Sequence, residues 1–338
     1  MGSDRMKNIL LLNAGTRNRL IQNFRKSIGG EARIIATDSY FLAPALYDAD
    51  KYYVTSRWDG EKYWESIFEI CKKENVGLVL SLVDPELELL AARKEKFEKQ
   101  GILVNSADKE TVHNCFDKFK MLQFLKTRGY PWIKTYRSFA EVKAALDLKE
   151  EKMPLFVKPV CGSGSAGIEK VDNIIRLQEI CNAHKDIIIQ EYMEADELGV
   201  DVYVDLVSGR VVSIFAKKKL KMRAGETDKS VSYKNEKLFN LIERFAEEFG
   251  LRGVNDIDVF ERNGEFYISE VNPRFGGGYL HAYECGEDFP KYLFYNMNGM
   301  TNKYAVGNYN EGVYMMKYFD IKMLEETKER DGRNDNSI

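Results

Sequence analysis

Short apolar runs that alternate with helical segments dominate the first 107 residues of the chain. The runs cover residues 7–13, 32–38, 76–82 and 102–105, and the segment between the last two has helical spacing up to Gly101. Strands of this kind are buried on both faces, and helices between them are typical of a parallel sheet. We therefore predict an α/β domain with a parallel sheet over residues 1–107.

The pattern changes after residue 107, where helices and closely spaced strands mix. Residues 118–129 have helical spacing, residues 197–221 have the pattern of two strands around Ser208-Gly209, and an amphipathic helix ends at Gly250. Antiparallel neighbours joined by tight turns predict an α+β fold over residues 108–321. Residues 322–338 are polar and are predicted to form a tail.

Composition excludes several classes of protein. A formal net charge of −3 argues against a nucleic-acid partner, and the chain lacks the apolar run of about 18 residues that a membrane span requires. The five cysteines are odd in number and contain no C-x-x-C pair, while three histidines are too few for a histidine-rich metal centre. With no signal peptide evident, we expect a cytoplasmic protein that acts on small molecules.

Residues 162–167 match the G-x-G-x-x-G pattern of a dinucleotide-binding turn. A Rossmann turn needs a helix that begins within the glycines, whereas residues 167–171 alternate as a strand. A Walker loop is excluded because Gly-Lys-Ser/Thr does not follow. The remaining interpretations are a strand–loop–strand flap that binds phosphate with its N–H groups and Lys158, or a flexible hairpin with an ordinary strand lysine.

Four oxygen-bearing side chains lie in a second hairpin: Asp256, Asp258, Glu270 and Asn272. A three-residue turn at 262–264 would place Asp256 opposite Glu270 and Asp258 diagonal to it, with all four on one face. A two-residue Asn-Gly turn would put Asp258 on the other face. Carboxylate and amide oxygens suit Mg²⁺, and the alternative is a solvated acidic hairpin.

Together, and in this order, these segments resemble the ATP-grasp ligases, in the branch similar to carbamoyl-phosphate synthase and biotin carboxylase. The similar segments are residues 49–55, 82–91, 115–131, 155–171, 188–202 and 253–278. The resemblance implies one ATP-grasp unit of two subdomains that hold ATP between them, with a lid over about residues 125–190. It also implies ATP and Mg²⁺, with Mn²⁺ as an alternative ion.

Roles carry over from the resemblance residue by residue. ATP would be bound by Lys118, Lys158, Gly162, Ser163, Gly164, Gly167, Gln190, Glu191, Met193 and Glu197, the last through the ribose. Metal would be held by Asp258, Glu270 and Asn272. Arg274 and Lys158 would act on the reacting phosphoryl group. Two departures from the family pattern are Ala195, where a glycine is usual, and Asp256, which competes with Asp258 as a ligand.

Substrate contacts are less specified. Asp84 and Glu86 follow the third strand at its carboxyl end, where α/β sheets bind ligands, although acids there also stabilise a helix N-terminus. Residues 217–229 resemble a mobile substrate loop, in which Arg223 is predicted to act in catalysis by contacting a carboxylate or phosphate, and the neighbouring lysines are predicted to lie on the surface. His281 and Cys285 are expected to be structural.

The resulting hypothesis is an ATP-dependent ligase that activates a small carboxylate as an acyl phosphate for attack by an amine. Alternatives are an enzyme that phosphorylates bicarbonate or carbamate, and a silent nucleotide-binding regulatory module. The partners are small-molecule carboxylates and amines, and a homodimer is compatible with the branch that the chain resembles.

Overall fold

A parallel sheet forms the amino-terminal part of the computed structural model, which describes residues 6–162, 167 and 169–325. Its strands run in the order β3-β2-β1-β4-β5, and every pair is parallel, as predicted. They are β1 (Asn8–Leu12), β2 (Ile34–Asp38), β3 (Lys51–Val54), β4 (Val76–Ser81) and β5 (Leu103–Val104). The four-run pattern missed β3, because this edge strand is only partly buried and lacks a continuous apolar run.

Helices cover both faces of this sheet. They are α1 (Asn18–Ile28), α2 (Glu61–Lys73), α3 (Asp84–Ala91) and α4 (Lys94–Glu98), with a short 3₁₀ helix at Pro44–Asp48. Ile9 and Leu11 pack towards Phe24 of α1, whereas Leu10 and Leu12 pack towards Trp64 of α2. Alternation along β1 therefore gives each face its own core.

A small four-stranded sheet follows, in the order β6-β9-β7-β8. Its elements, and those leading to it, are α5 (Lys109–Phe116), α6 (Lys118–Thr127), β6 (Thr135–Tyr136), α7 (Phe139–Asp147), β7 (Leu155–Pro159), β8 (Glu169–Val171), α8 (Ile174–Ala183) and β9 (Ile187–Glu191). The glycine loop joins β7 to β8, which pair antiparallel, so the predicted strand–loop–strand arrangement is confirmed. No helix begins in the described part of the loop, which agrees with the rejection of a Rossmann turn.

The third sheet is antiparallel, with six strands in the order β14-β13-β10-β11-β12-β15. The remaining elements are β10 (Asp196–Val204), β11 (Val211–Arg223), β12 (Glu226–Tyr233), α9 (Glu236–Phe249), β13 (Gly253–Arg262), β14 (Glu265–Asn272), α10 (Tyr279–Glu284), α11 (Phe289–Met297) and β15 (Tyr314–Met316). The amphipathic helix α9 ends, as predicted, at Gly250, whose φ of 85° is left-handed. Its buried side chains share one apolar cluster with residues of β10, β11, β13 and β14, so α9 covers one face of this sheet.

The last described segment runs along the edge of the six-stranded sheet. β15 pairs with β12, and Lys322 Nζ lies 2.7 Å from Asp48 Oδ1 of the parallel-sheet region. Of the predicted tail at residues 322–338, the described part, residues 322–325, contains neither helix nor strand, and residues 326–338 lie outside the described residues. Among the residues that the structure describes, no helix is both long and apolar enough to cross a bilayer.

Candidate active site

The β13–β14 hairpin brings the four predicted oxygen-bearing side chains together in a register that differs from the prediction. Its turn is the two-residue Asn263-Gly264, with φ values of 55° and 73°, so the predicted three-residue turn is wrong. A register shift between Asp258 and Val259 then leaves Ser269 as an extra residue on β14. This bulge changes the parity of the pairing.

As a result of the bulge, Asp258 lies opposite Glu270 and Asp256 lies opposite Asn272. The predicted pairing of Asp256 with Glu270 is therefore wrong, although the expectation of one shared face agrees with the observed pairing. Asp258 stands directly across from the glutamate, which removes the geometric reason for preferring Asp256 as the metal-facing aspartate.

Burial and crowding set the electrostatics of this face. Burial raises the pKa of the Glu270 carboxyl, against the opposing effect of the Lys118 ammonium. Burial, together with the neighbouring Asp258 and Asp201 carboxylates, raises the pKa of Asp256 to about 7. Crowded carboxylates next to an asparagine oxygen fit Mg²⁺, which takes few protein ligands and completes its shell with phosphate and water oxygens.

Two lysines approach this hairpin from other elements. Lys158 on β7 is buried, and burial lowers its pKa to about 8, with Lys118 adding to the shift and Glu270 and Asp258 opposing it. Lys118 begins α6, and its ammonium donates a hydrogen bond to the carbonyl of Gly162. The structure thus brings both predicted phosphate lysines to the carboxylate face.

The glycine loop is described only at its ends. Gly162 has a φ of 123° and Gly167 a φ of 71°, both in the region that favours glycine. Ser163 and Gly164, which were also predicted to contact ATP, lie outside the described residues.

The predicted adenine-binding segment follows β9. The Gln190 amide donates to Thr135 Oγ1 at 2.8 Å, and the Glu191 carboxylate accepts from Arg262 Nη1 at 3.1 Å. Met193 is buried next to them. Because both polar side chains are engaged with protein groups, adenine contacts in this segment would come from the backbone and Met193.

Two lysines of β11 that were predicted to lie on the surface are buried in the site. Lys217 is 1% exposed and pairs with Asp201, and Lys219 is 6% exposed. Lys219 Nζ lies 2.7 Å from both Glu197 Oε1 and Asp258 Oδ1. The surface prediction was wrong for Lys217 and Lys219 because β11 lies between β10 and β12 in this part of the sheet. The strand becomes exposed only at residues 220–223. Period-two alternation alone does not distinguish an exposed sheet edge from a buried face, and the strand pairing places both lysines on the face of the carboxylates.

Arg274 links the hairpin to the parallel sheet. Its Nε and Nη2 donate to the Asp84 carboxylate at 2.6 and 3.1 Å, and Nη2 also donates to Asn272 Oδ1 at 3.3 Å. Burial works against the charged form, but Asp84 and Asp256 outweigh it, so the pKa of Arg274 is raised. The carboxyl end of β4, where α3 begins, is thereby held against the carboxylate face.

The other predicted substrate residues are placed differently. Glu86 is 0% exposed, with its carboxylate bonded to Ser81 and Tyr63, so it lies beneath the site and not in the cleft. Arg223 is half-exposed, 3.9 Å from Asp228, and its guanidinium lies 4.8 Å from the centre of the Phe319 ring.

Glu226 is a further residue at the site that the sequence prediction did not include. It pairs with Arg17 of the first strand–helix turn at 3.0 Å and with Lys317 at 2.9 Å. Arg17 and Glu226 are far apart in the sequence, and they meet only when the two sheets come together.

The glycine run at 276–278 allows close packing of backbone against charged side chains. A Cβ at Gly276 would fall 2.4 Å from the Asp256 carboxyl carbon, and one at Gly277 would fall 2.5 Å from that of Glu226. At Gly278 it would meet Lys217 Cε at 2.7 Å. Glycine at these positions therefore lets the backbone approach these three side chains closely.

Comparison with known proteins identifies two families along the chain. Residues 9–105 match the PylC-like N-terminal domain, and residues 115–278 match the ATP-grasp domain. A formate-dependent phosphoribosylglycinamide formyltransferase of Prochlorococcus marinus (strain NATL1A) is 26% identical over 289 residues, which span 79% of this chain and 70% of that protein.

Solved structures share the fold at lower sequence identity. The biotin carboxylase domain of the Hydrogenobacter thermophilus 2-oxoglutarate carboxylase is similar with a TM-score of 0.73 and 18% identity, over 92% of this chain and 74% of that one. An L-amino acid ligase from Bacillus licheniformis is similar with a TM-score of 0.66 and 18% identity, over 87% and 75% of the two chains. Behind a PylC-like N-terminal domain, residues 115–278 thus belong to the ATP-grasp family, whose members are ADP-forming ligases that use ATP and Mg²⁺.

Proposed function

We propose that this ligase activates a small carboxylate as an acyl phosphate and joins it to an amine, with amino-acid-like substrates. The observation that carries the proposal is the Asp84–Arg274 contact, at 2.6 Å. It holds the ligand-binding edge of the parallel sheet against the face that carries Lys118, Lys158 and the carboxylates. A substrate held at that edge would lie beside the terminal phosphate of ATP.

The chemistry follows from charge. A carboxylate oxygen of the substrate attacks the γ-phosphorus, and ADP leaves with the electrons of the broken P–O bond. The amine then attacks the acyl carbon, inorganic phosphate leaves, and the amine loses its proton. Phosphoryl transfer of this kind needs positioning and neutralisation of charge more than covalent help.

The proposed residue roles match that need. Lys118 and Lys158 would neutralise the ATP phosphates, and Arg274 would face the phosphoryl group in transfer. Mg²⁺ bound by Asp258, Glu270 and Asn272 would supply further neutralising charge. Lys158 is suited to this role because a phosphate would favour its charged form, which burial alone disfavours.

Arg17 and Glu226 support an amino-acid-like substrate. Their ion pair, 3.0 Å long, lies where the first strand–helix turn meets the glycine run. A guanidinium and a carboxylate side by side present the charges that complement a zwitterion. Asp84 and Arg223 remain proposed as additional substrate contacts.

We propose a corresponding division of the chain. Residues 1–107 would supply one wall of the substrate site, and residues 108–321, with a lid over about 125–190, would bind ATP. The similarity to an L-amino acid ligase supports this type of substrate through the shared fold.

The test is ADP release from Mg-ATP with pools of amino acids and small carboxylates, with and without bicarbonate. We expect one pool to stimulate release and to yield a product with the mass of acid plus amine minus water. Stimulation by bicarbonate alone would replace this proposal with phosphorylation of bicarbonate or carbamate. Nucleotide binding without turnover in any pool would favour a regulatory module.

A further inference from the structure

Lys219 reaches across a neighbouring strand to contact two carboxylates that belong to different parts of the site. Its own strand, β11, pairs with β10, and β10 pairs with β13 on its other side. The ammonium lies 2.7 Å from Glu197 Oε1 on β10 and 2.7 Å from Asp258 Oδ1 on β13. One cation therefore joins the predicted ribose contact to a predicted metal contact.

Gly199 leaves room for the Lys219 side chain to cross β10. It is the residue of β10 that pairs with both Asp258 on β13 and Lys217 on β11. A Cβ at this position would lie 3.3 Å from Lys219 Cε and 3.2 Å from Lys217 Cε. A glycine inside a strand costs stability and commonly marks a close approach, and here the approaching groups are two lysine side chains.

The contact is shielded from solvent on the lysine side, since the Lys219 side chain is only 6% exposed. Charge-assisted hydrogen bonds of this length restrict the orientation of both carboxylates. Restricting a ligating carboxylate through a second residue is a known way to tune metal affinity.

We propose that Lys219 is a positioning residue that couples ribose recognition by Glu197 to metal binding by Asp258. This rests on the proposed roles of those two carboxylates. Lys219 does not replace either group. It holds both carboxylates in the orientation in which nucleotide and metal bind together. The preference for a metal-bound nucleotide and the preference for a ribose with hydroxyl groups therefore both depend on this side chain.

The test measures nucleotide binding by calorimetry on the full chain, without a substrate. The metal preference is the Kd for ADP divided by the Kd for Mg-ADP. The ribose preference is the Kd for Mg-2′,3′-dideoxy-ADP divided by the Kd for Mg-ADP. For Lys219→Met we expect both ratios to fall, the metal preference by about 10- to 100-fold. For Glu197→Gln we expect only the ribose preference to fall.

Lys218→Met is the matched control. Lys218 precedes Lys219 in the same strand and points the other way, to Asp196 at 3.1 Å, so both ratios should stay at the wild-type values. Gly199→Val is a second variant, which keeps every charge but places a side chain in the path of Lys219 across β10. It should lower both ratios, as Lys219→Met does.

The outcomes separate this inference from the function on which it rests. A folded Lys219→Met with both ratios unchanged, or with only one of them lowered, would overturn the coupling. If Lys219→Met does not fold, Gly199→Val with wild-type ratios would overturn it equally. A wild-type protein that shows no metal or ribose preference would overturn the proposed nucleotide site itself.

Discussion

Charged side chains occupy different positions in the parallel sheet and in the six-stranded sheet. In the parallel sheet, β1 and β4 are buried along their whole length, and charged groups such as Asp84 follow the strand ends. In the six-stranded sheet, charged side chains occupy the middle of one face, with Lys217 and Asp201 both 1% exposed. The reason is coverage, because helices take both faces of a parallel sheet, whereas an antiparallel sheet can leave one face open for a site.

The two sheets therefore differ in where they can carry the polar side chains of a binding site. Strand ends offer the parallel sheet a place for polar groups without breaking its core. The antiparallel sheet gives up apolar packing on one face and compensates with ion pairs across its strands. If the charged face is a paired network, substitutions within it should have larger effects than matched substitutions at exposed positions.

Breaking the most buried ion pair should have the largest effect. Lys217→Met leaves the fully buried Asp201 carboxylate without its cation, and we expect the free energy of unfolding to fall by about 3–5 kcal/mol. Urea denaturation measures this loss. Lys221→Met, at an exposed position of the same strand, should change stability by less than about 0.5 kcal/mol. Equal losses in the two variants would show that the buried Lys217–Asp201 pair does not contribute more to stability than an exposed lysine does.

Removing the hairpin glutamate should affect turnover more than the fold. Glu270→Ala takes away a proposed metal ligand, and we expect ADP formation to fall by about 10²- to 10³-fold with the circular dichroism spectrum retained. Glu265→Ala, on the exposed end of the same strand, is the control that should keep wild-type turnover. Full activity in Glu270→Ala would show the metal assignment to be wrong.

Removing the buried lysine of β7 should weaken nucleotide binding. Lys158→Ala loses a charged hydrogen bond to phosphate worth about 1.5–3 kcal/mol, so the Kd for ATP should rise by about 10- to 100-fold. Equilibrium binding measures it, with the exposed Lys152→Ala as the control. An unchanged Kd would contradict the phosphate role of Lys158.

The smallest effect concerns pH. The pKa of Lys158 is lowered to about 8, so its charge is lost in the free protein as pH rises through that value. ATP affinity should therefore decline above pH 8, by at most about tenfold per pH unit. A Lys158→Met variant should not show this decline, and an identical pH profile in both proteins would contradict the assignment.

The free energy of unfolding should rise with pH through the titration of Lys158, whereas the affinity for ATP should fall. The unfolded chain keeps the lysine proton up to about pH 10.4, whereas the folded protein releases it near pH 8. Between these values the unfolded state binds more protons, so the free energy of unfolding rises with pH relative to Lys158→Met. A wild-type protein that loses stability relative to the variant over this range would contradict the lowered pKa.

Much of the fold could be predicted because local patterns determine it. Apolar runs such as residues 76–82 predicted strands of the parallel sheet, and the helix that ends at Gly250 was predicted by its amphipathic spacing. The strand after the glycine loop, β8, separated this chain from the Rossmann proteins. Each of these depends on a few consecutive residues.

Other features could not be predicted, because they depend on pairing between distant segments. The bulge at Ser269 decides which aspartate faces Glu270, and no local signal marks it. Glu86 occupies the same helix turn as Asp84, yet packing beneath the sheet edge buries one while the other meets Arg274. The single helix predicted over this region is also two helices, α3 and α4.

The sequence by itself determined the kinds of element, their order and the types of side chain available for binding nucleotide and metal. Those properties follow from backbone preferences and side-chain periodicity, which act over a few residues. Only the tertiary structure decided that Lys219 contacts both Glu197 and Asp258, and that Arg17 contacts Glu226. The physical reason is that an ion pair forms between atoms within about 4 Å, and such distances between remote segments are set by strand register and by the packing of one sheet against another.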